Sequence, residues 1–461
     1  MARPTVSGAR RPTTADRRWR PALAEDEAAK ARAVARDVAD RLKDSGRLES
    51  AVTSAREQTG YPRSVHWRPY GVAQGYAGLA LLWGCADACM PDEGWDRVGH
   101  EHLRRAVRAA EQQPRLPYGM YCGLGGLALT SWYLSRGHTR YERLRRTVET
   151  TLVDRVTSAA TALVQASHHG IGVSAFDVIS GLAGAGRFLL LRADEAGPGH
   201  RTSLEAVLRA LISLTEEQNG VPHWHTPPRF LSDEASRQLY PHGNLNCGLA
   251  HGIPGPLALL SMATIAGVTV ERQLEAIRRI AEWLERSQIH DEWGVSWPTA
   301  VPLAADGTPD GTATCRPSRT AWCYGSPGIA RALWLAGDAL GEASYQDLAV
   351  SAMEAVYRRP LSVRQIDSPT FCHGVAGLQQ ITLRFAHDSG LPAFAEAARS
   401  LHRQMIDAYE PESVLGYRNV EPGGRRVDQP GLLDGAAGVA LVLLAASTPV
   451  EPVCDALFLL S

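Results

Sequence analysis

The chain has 461 residues, with 48 Lys+Arg against 49 Asp+Glu and a formal net charge of -1. That balance excludes a global field able to gather nucleic acid or an anionic membrane. No apolar run approaches the ~18 residues that span a bilayer, and eight cysteines in so long a chain do not form a disulfide framework.

Residues 1–24 are rich in Arg and Pro, with Arg3, Arg10, Arg11, Arg17, Arg18 and Arg20. They lack the apolar stretch of a signal peptide. The expectation is a solvated, poorly ordered tail on a cytoplasmic protein with reduced thiols. From Asp26 the pattern turns helical, with Ala33, Val34, Val38 and Leu42 on one face. A loop with Pro62, Trp67 and Pro69 then leads to Gly75-Tyr76-Ala77-Gly78 and an apolar run.

That Gly-x-x-Gly pattern returns at Gly123, Gly181, Gly252, Gly325, Gly374 and Gly435, giving seven copies roughly 50 to 70 residues apart. At roughly 150 residues per domain the length suggests two or three domains, but a closed repeat array breaks that arithmetic. Each copy opens an apolar stretch of helix length, such as residues 257–262 and 329–335. Charge-decorated amphipathic helices lie between copies, as at residues 272–287 and 391–408. Glycine at each entry allows close backbone approach and positive φ. Pro254 and Pro327 suit a first helical turn, where a missing N–H costs nothing. Gly/Trp/Pro segments near residues 220–224, 293–298 and 416–424 read as rim hairpins, and residues 224–248 and 298–319 as long rim loops. The predicted fold is all-α: an α/α toroid of seven inner and seven outer helices over residues 25–461, with short hairpins on its rim.

The residues just before the first glycine of each copy are Gln74, Cys122, Ser180, His251, Tyr324, His373 and Asp434. In a toroid they gather near the axis at one face. One position earlier lie Cys323 and Cys372. Cys323, Cys372 and His373 form a soft donor set of two thiolates and one imidazole, which favours Zn²⁺ and leaves a fourth position open, as catalytic zinc sites do. His251 shares the position of His373 without a preceding cysteine, so it reads as a general acid or base or as a helix-capping histidine. Asp177, four residues before Gly181, reads as its partner or as a cap. Arg319 ends a polar loop and reads on its own as a surface ion-pair residue. His168-His169 and His223-Trp224-His225 lack a cysteine companion and read as surface or packing residues, and Cys85 and Cys89 as core. Cys122 and Cys247 point to the same region with no assigned role. The missing Lys-Ser/Thr after the glycines argues against a phosphate-binding loop.

Three stretches carry a resemblance. Gly248-Leu249-Ala250-His251-Gly252-Ile253-Pro254-Gly255, Trp322-Cys323-Tyr324-Gly325-Ser326-Pro327-Gly328 and Cys372-His373-Gly374-Val375-Ala376-Gly377 resemble the lanthipeptide cyclase, or LanC-like, family. The resemblance covers the chain from about Ala51. It implies an α/α toroid with one zinc held by Cys323, Cys372 and His373. It implies that His251 and Asp177 act in proton transfer and that Arg319 and Tyr324 line the site. The chain has no room for a preceding dehydratase domain, so it is similar to stand-alone cyclases. Those act on a dehydrated precursor peptide beside a separate dehydratase, with an export transporter as a further partner. The implied reaction adds a peptide cysteine thiol to dehydroalanine or dehydrobutyrine, giving a lanthionine or methyllanthionine ring. Alternatives are a glutathione-adduct enzyme with the same zinc chemistry and a non-catalytic peptide-binding scaffold. A prenyltransferase-like barrel would need an Asp/Cys/His ligand set that this sequence does not show.

Overall fold

The computed structural model describes residues 18–62, 66–310 and 316–461. Arg3, Arg10, Arg11 and Arg17 of the expected tail, and five residues of the 298–319 loop, lie outside the described residues. Seventeen helices are described: α1 (Glu25–Lys43), α2 (Ser45–Gln58), α3 (Tyr76–Cys89), α4 (Trp95–Glu111), α5 (Leu124–Tyr133), α6 (Glu142–Ala166), α7 (Leu182–Arg192), α8 (Pro198–Ser213), α9 (Glu234–Leu239), α10 (Pro254–Ile265), α11 (Gln273–Arg286), α12 (Ser326–Leu340), α13 (Ala343–Arg358), α14 (Leu361–Arg364), α15 (Val375–Ser389), α16 (Pro392–Asp407) and α17 (Ala436–Ser447).

Seven of them start inside a Gly-x-x-Gly copy: α3, α5, α7, α10, α12, α15 and α17. Each touches the next in that order, and α17 touches α3, so the inner ring is closed. Seven outer helices wrap it: α4 on α3, α6 on α5, α8 on α7, α11 on α10, α13 on α12, α16 on α15, and α1 on α17. The apolar patterns assign these layers. Every residue of α17 is buried, whereas α4 buries Trp95, Gly99, His102, Leu103, Ala106 and Ala110 at helical spacing and turns its charges outward. In α1 the buried face is Ala31, Val34, Ala35, Val38 and Leu42; Ala33, expected on that face, is exposed because it lies roughly a quarter turn off the stripe.

Backbone hydrogen bonds join the copies where they enter the inner helices. Ala73 donates to Tyr121, Tyr121 to Ile179, Val178 to Ala250, Ala250 to Cys323, Cys323 to Cys372, Cys372 to Leu433, and Leu433 to Ala73, with N···O distances of 2.8–3.3 Å. The acceptors are the residues two before each first glycine, so the belt visits all seven copies and closes on itself. It satisfies buried backbone groups that precede the helices and holds the residues around it in register.

This belt explains the glycines. A Cβ on the second glycine of a copy would meet the carbonyl of the residue six before it, at or next to a belt residue: Gly78 meets Val72, Gly184 meets Val178, Gly328 meets Trp322 and Gly377 meets Phe371. Close approach is therefore the shared requirement. Positive φ is needed at only one of the seven first glycines, Gly325, at 98°. There the Arg319 carbonyl also lies where a Cβ would stand.

The rim carries four short antiparallel pairs. β1 (Glu217–Gln218) pairs with β2 (Val221–Pro222), β4 (Ile289–Asp291) with β5 (Gly294–Ser296), and β7 (Asn419–Glu421) with β8 (Arg425–Val427). β3 (Asn244–Asn246) and β6 (Ala300–Pro302) come from the two long rim loops and join them, Leu245 opposite Val301.

Residues 453–461 turn back into the bore. Phe458 stacks on Phe371 with centroids 3.6 Å apart and meets Trp322 edge-on at 5.4 Å. The Trp322 indole donates to the Phe458 carbonyl at 3.0 Å and the Tyr121 hydroxyl to that of Leu457 at 2.9 Å. Of residues 18–24, grouped with the tail in the sequence, Trp19 and Leu23 are buried here. Trp19 is 4 % exposed, its indole donates to the Ala445 carbonyl at 2.9 Å, and its ring lies 4.8 Å from the Arg384 guanidinium.

Candidate functional site

The belt sets which side chains meet. Cys323 donates its N–H to the Cys372 carbonyl at 3.2 Å, so the two thiols, distant in sequence, become neighbours. His373 follows directly. One donor atom from each of Cys323, Cys372 and His373 lies within 4.8 Å of the others, and this is the one such group of three found among the described residues. Two thiols and an imidazole at that separation fit the soft, tetrahedral preference of Zn²⁺ and leave a coordination position for an outside ligand. The Cys323 thiol, then burial, pushes the Cys372 thiol well above its ordinary value, and nearby Arg319 opposes the rise. A bound cation would reverse that balance by favouring thiolate.

A second regularity crosses the copies. The residue four before a first glycine lies under the residue just before the next copy's first glycine. A Cβ on Gly248 would strike the Tyr324 ring, on Gly119 the Ser180 backbone, and on Gly431 the Gln74 side chain. In copy three this position is Asp177, and it meets His251 of copy four. His251 Nδ1 lies 2.6 Å from Asp177 Oδ2. Asp177 is buried, and its Oδ1 accepts the N–H groups of Ser180 at 2.7 Å and Gly181 at 2.8 Å. An aspartate so held accepts from Nδ1–H, which leaves Nε2 of the half-exposed His251 available. Asp177 thus ties down the turn before α7 and partners His251; it caps no N–H of the helix itself.

Tyr324, between the cysteine cluster and His251, has its ring centroid 6.3 Å from that of His251. Asn246 donates to its hydroxyl at 3.2 Å and accepts the Gly248 N–H at 2.9 Å. Burial pushes the Tyr324 phenol up, so it stays protonated. Arg319 is half-buried rather than a surface residue, with its carbonyl against Gly325 and its charge felt at Cys372. Sequence reasoning passed over Asn246. The signal was there: it precedes Gly252 by six residues, as Arg319 precedes Gly325. Asp434 stood in the alignment without a role; its Oδ1 lies 3.5 Å from His373 Nδ1.

The other candidates lie elsewhere or do other work. His168 and His223 pack edge to face at 5.0 Å, and His225 Nδ1 bonds the Pro222 carbonyl at 2.8 Å. Cys247 is buried, 3.7 Å from the Leu245 carbonyl. Cys122 sits on the site face in copy two, its thiol pushed up by burial and pulled back by Arg68. Cys85 is buried at the opposite end of α3, beside Cys454. A cleft of about 710 Å³ bordered by Val52, Arg56, Trp67, Gln74 and Gln429 opens on the side of copies one and seven.

A family model described as "Lanthionine synthetase C-like protein" matches residues 66–459, most of the chain. The chain belongs to the lanthionine synthetase C-like family. Among curated relatives, the nisin biosynthesis protein NisC of Lactococcus lactis subsp. lactis is 28% identical over 334 residues, covering 70% of this chain and 72% of that protein. A solved structure named "Nisin cyclase" aligns with a TM-score of 0.72 at 24% identity, covering 89% of this chain and 97% of that one. As a lanthionine synthetase C-like protein, the chain has the α/α toroid expected from its repeats. None of its described helices is long and apolar enough to cross a membrane.

Proposed function

We propose that this chain is a zinc-dependent lanthionine cyclase acting on a dehydrated precursor peptide. Membership of the family and likeness to NisC support the cyclase reading. The observation that carries it to chemistry is the meeting of Cys323, Cys372 and His373 beside a His251–Asp177 pair. Cys323, Cys372 and His373 would hold the zinc. Bound zinc supplies stabilisation of a substrate thiolate near neutral pH, where a free cysteine thiol keeps its proton.

The chain's own residues then manage the proton and the geometry. The substrate sulfur bonds to the β-carbon of dehydroalanine or dehydrobutyrine, and the alkene π pair moves to the α-carbon and its carbonyl. The α-carbon must then be protonated. His251 Nε2 is the donor, and the proton lost by the thiol restores it, so the net reaction changes no mass. Asp177 fixes the tautomer and orientation of His251 and stabilises its charged form. Tyr324 and Arg319 offer O–H and N–H donors toward the carbonyl oxygen that gains charge. Asn246 holds the Tyr324 hydroxyl in place.

Incubation with a dehydrated peptide, followed by mass spectrometry and thiol titration, tests the reading. Loss of free thiol without mass change is the expected result. A glutathione-sized gain would point to adduct formation, and no change in either would leave only binding. A separate dehydratase, an export transporter and a cytoplasmic setting belong to this proposal; a nearby gene for a short Ser/Thr/Cys-rich peptide would support it.

A further inference from the structure

We propose that Asp434 is a positioning residue for the metal centre: it holds the His373 ring so that Nδ1 carries the proton and Nε2 faces Cys323 and Cys372. This rests on the zinc reading above. The first support is backbone placement. The Leu433 carbonyl accepts the N–H groups of Phe371 at 3.1 Å and Cys372 at 2.8 Å. Asp434 and His373, the next residue on each strand of the belt, are therefore held side by side by two hydrogen bonds that need no metal.

The second support is the carboxylate itself. Asp434 Oδ1 lies 3.5 Å from His373 Nδ1, and the side chain is 14% exposed. That oxygen is buried with no hydrogen-bond partner. A buried carboxylate oxygen without a donor is costly, so a donor is expected when the site is complete. Two adjacent groups can supply one: the Gln74 side chain, which bears on the Asp434 carboxyl, and His373, because an imidazole that binds a metal through one nitrogen must carry its proton on the other. Asp434 also stands outside the cluster whose donor atoms lie within 4.8 Å of one another, so it is placed behind the histidine and not among the ligands. A carboxylate in that place fixes the ring and raises the basicity of the ligating nitrogen.

The test uses the full chain. Zinc affinity is measured by competition with a chromophoric chelator for wild type, Asp434→Asn, Asp434→Ala and Asp434→Glu, with far-UV circular dichroism to verify folding. Asp434→Asn and Asp434→Ala are expected to bind zinc about 10- to 100-fold more weakly, with Asp434→Glu recovering most of the loss. Wild-type affinity in a folded Asp434→Ala would overturn the proposal. A measurement on the wild type guards against variants that do not fold: in zinc-loaded protein with ¹⁵N-labelled histidine, NMR is expected to place the His373 proton on Nδ1. A metal-bound Nδ1 would overturn the proposal even if zinc binds. Failure of the wild type to bind zinc at all would instead remove the zinc reading, and this inference with it.

Discussion

The two ends of the inner barrel each bring a pair of cysteines together. At the helix N-termini Cys323 and Cys372 meet through the belt, with His373 beside them, Asp434 behind and Arg319 near. At the far end Cys85 Sγ lies 2.8 Å from Cys454 Sγ, with Cys89 one turn on from Cys85, around a cavity of only about 30 Å³ lined also by Tyr133, Phe371 and Leu441. Both pairs are crowded, and in both the neighbouring thiol and burial push a cysteine up. They differ in their surroundings. An aspartate adds to the rise at each, Asp434 at Cys372 and Asp455 at Cys454, but at Cys372 Arg319 also opposes it. The site end has an imidazole and half-exposed side chains; the far end is sealed by residues 453–461. Closeness of two thiols is common to both ends; among the described residues a third donor is found only at the site end, and that makes it the candidate metal centre.

The largest expected effect tests that contrast directly. Cys323→Ala should abolish stoichiometric zinc and lower cyclisation about a thousandfold or more, the scale that several kcal/mol of metal activation supplies. Cys85→Ala should keep one zinc per chain, measured by atomic emission. Equal metal loss in both variants would erase the distinction drawn between the two ends.

Within the site end, His251→Ala should retain zinc while ring formation falls by about 10²- to 10⁴-fold, the usual range for a lost general acid. Normal rates in that variant would take proton transfer away from His251. Asp177→Asn should mirror it in part, since the histidine would remain without its anionic partner.

A smaller effect is expected from the belt. In Gly377→Ala the new methyl would press on the carbonyl of Phe371, just before Cys372, and the variant should lose about 1–3 kcal/mol in thermal or denaturant melts. Gly199→Ala, with open space and no positive φ, is the control and should stay within about 0.5 kcal/mol of wild type. The mildest test is chemical. Burial holds the Cys89 thiol up at about 12, and Cys454 is also raised. At neutral pH iodoacetamide should leave both unlabelled until denaturant is added, since the thiolate is the nucleophile. Labelling of either in the native protein would show that the far end is open.

Much of this was readable in the amino-acid order because the repeat is short-range. Each Gly-x-x-Gly marks where a backbone must approach another closely, and the apolar run after it marks a helix buried on every side. Aligning copies five and six put Cys323 and Cys372 at matching positions, with His373 directly after, and the belt places matching positions side by side. Local pattern was a poorer guide where the chain meets itself at long range. Ala33 has the right character for the buried face but sits off the stripe, and residues 18–24 look like a tail yet Trp19 inserts beneath Arg384.

The chain's order therefore carried the helices, their two layers, the glycine turns and the donor set of the candidate metal centre, because all of these repeat with a local period. A closed toroid was the expectation from the repeats, and α17 touching α3 and the belt returning from Leu433 to Ala73 complete the ring. The ring then decided which side chains face each other across copies: Asp177 under His251, Asp434 beside His373, Phe458 beneath Trp322 and Phe371. A repeat specifies its own geometry and that of its neighbour, but the pairing of its first and last members depends on the rotation accumulated over all seven copies.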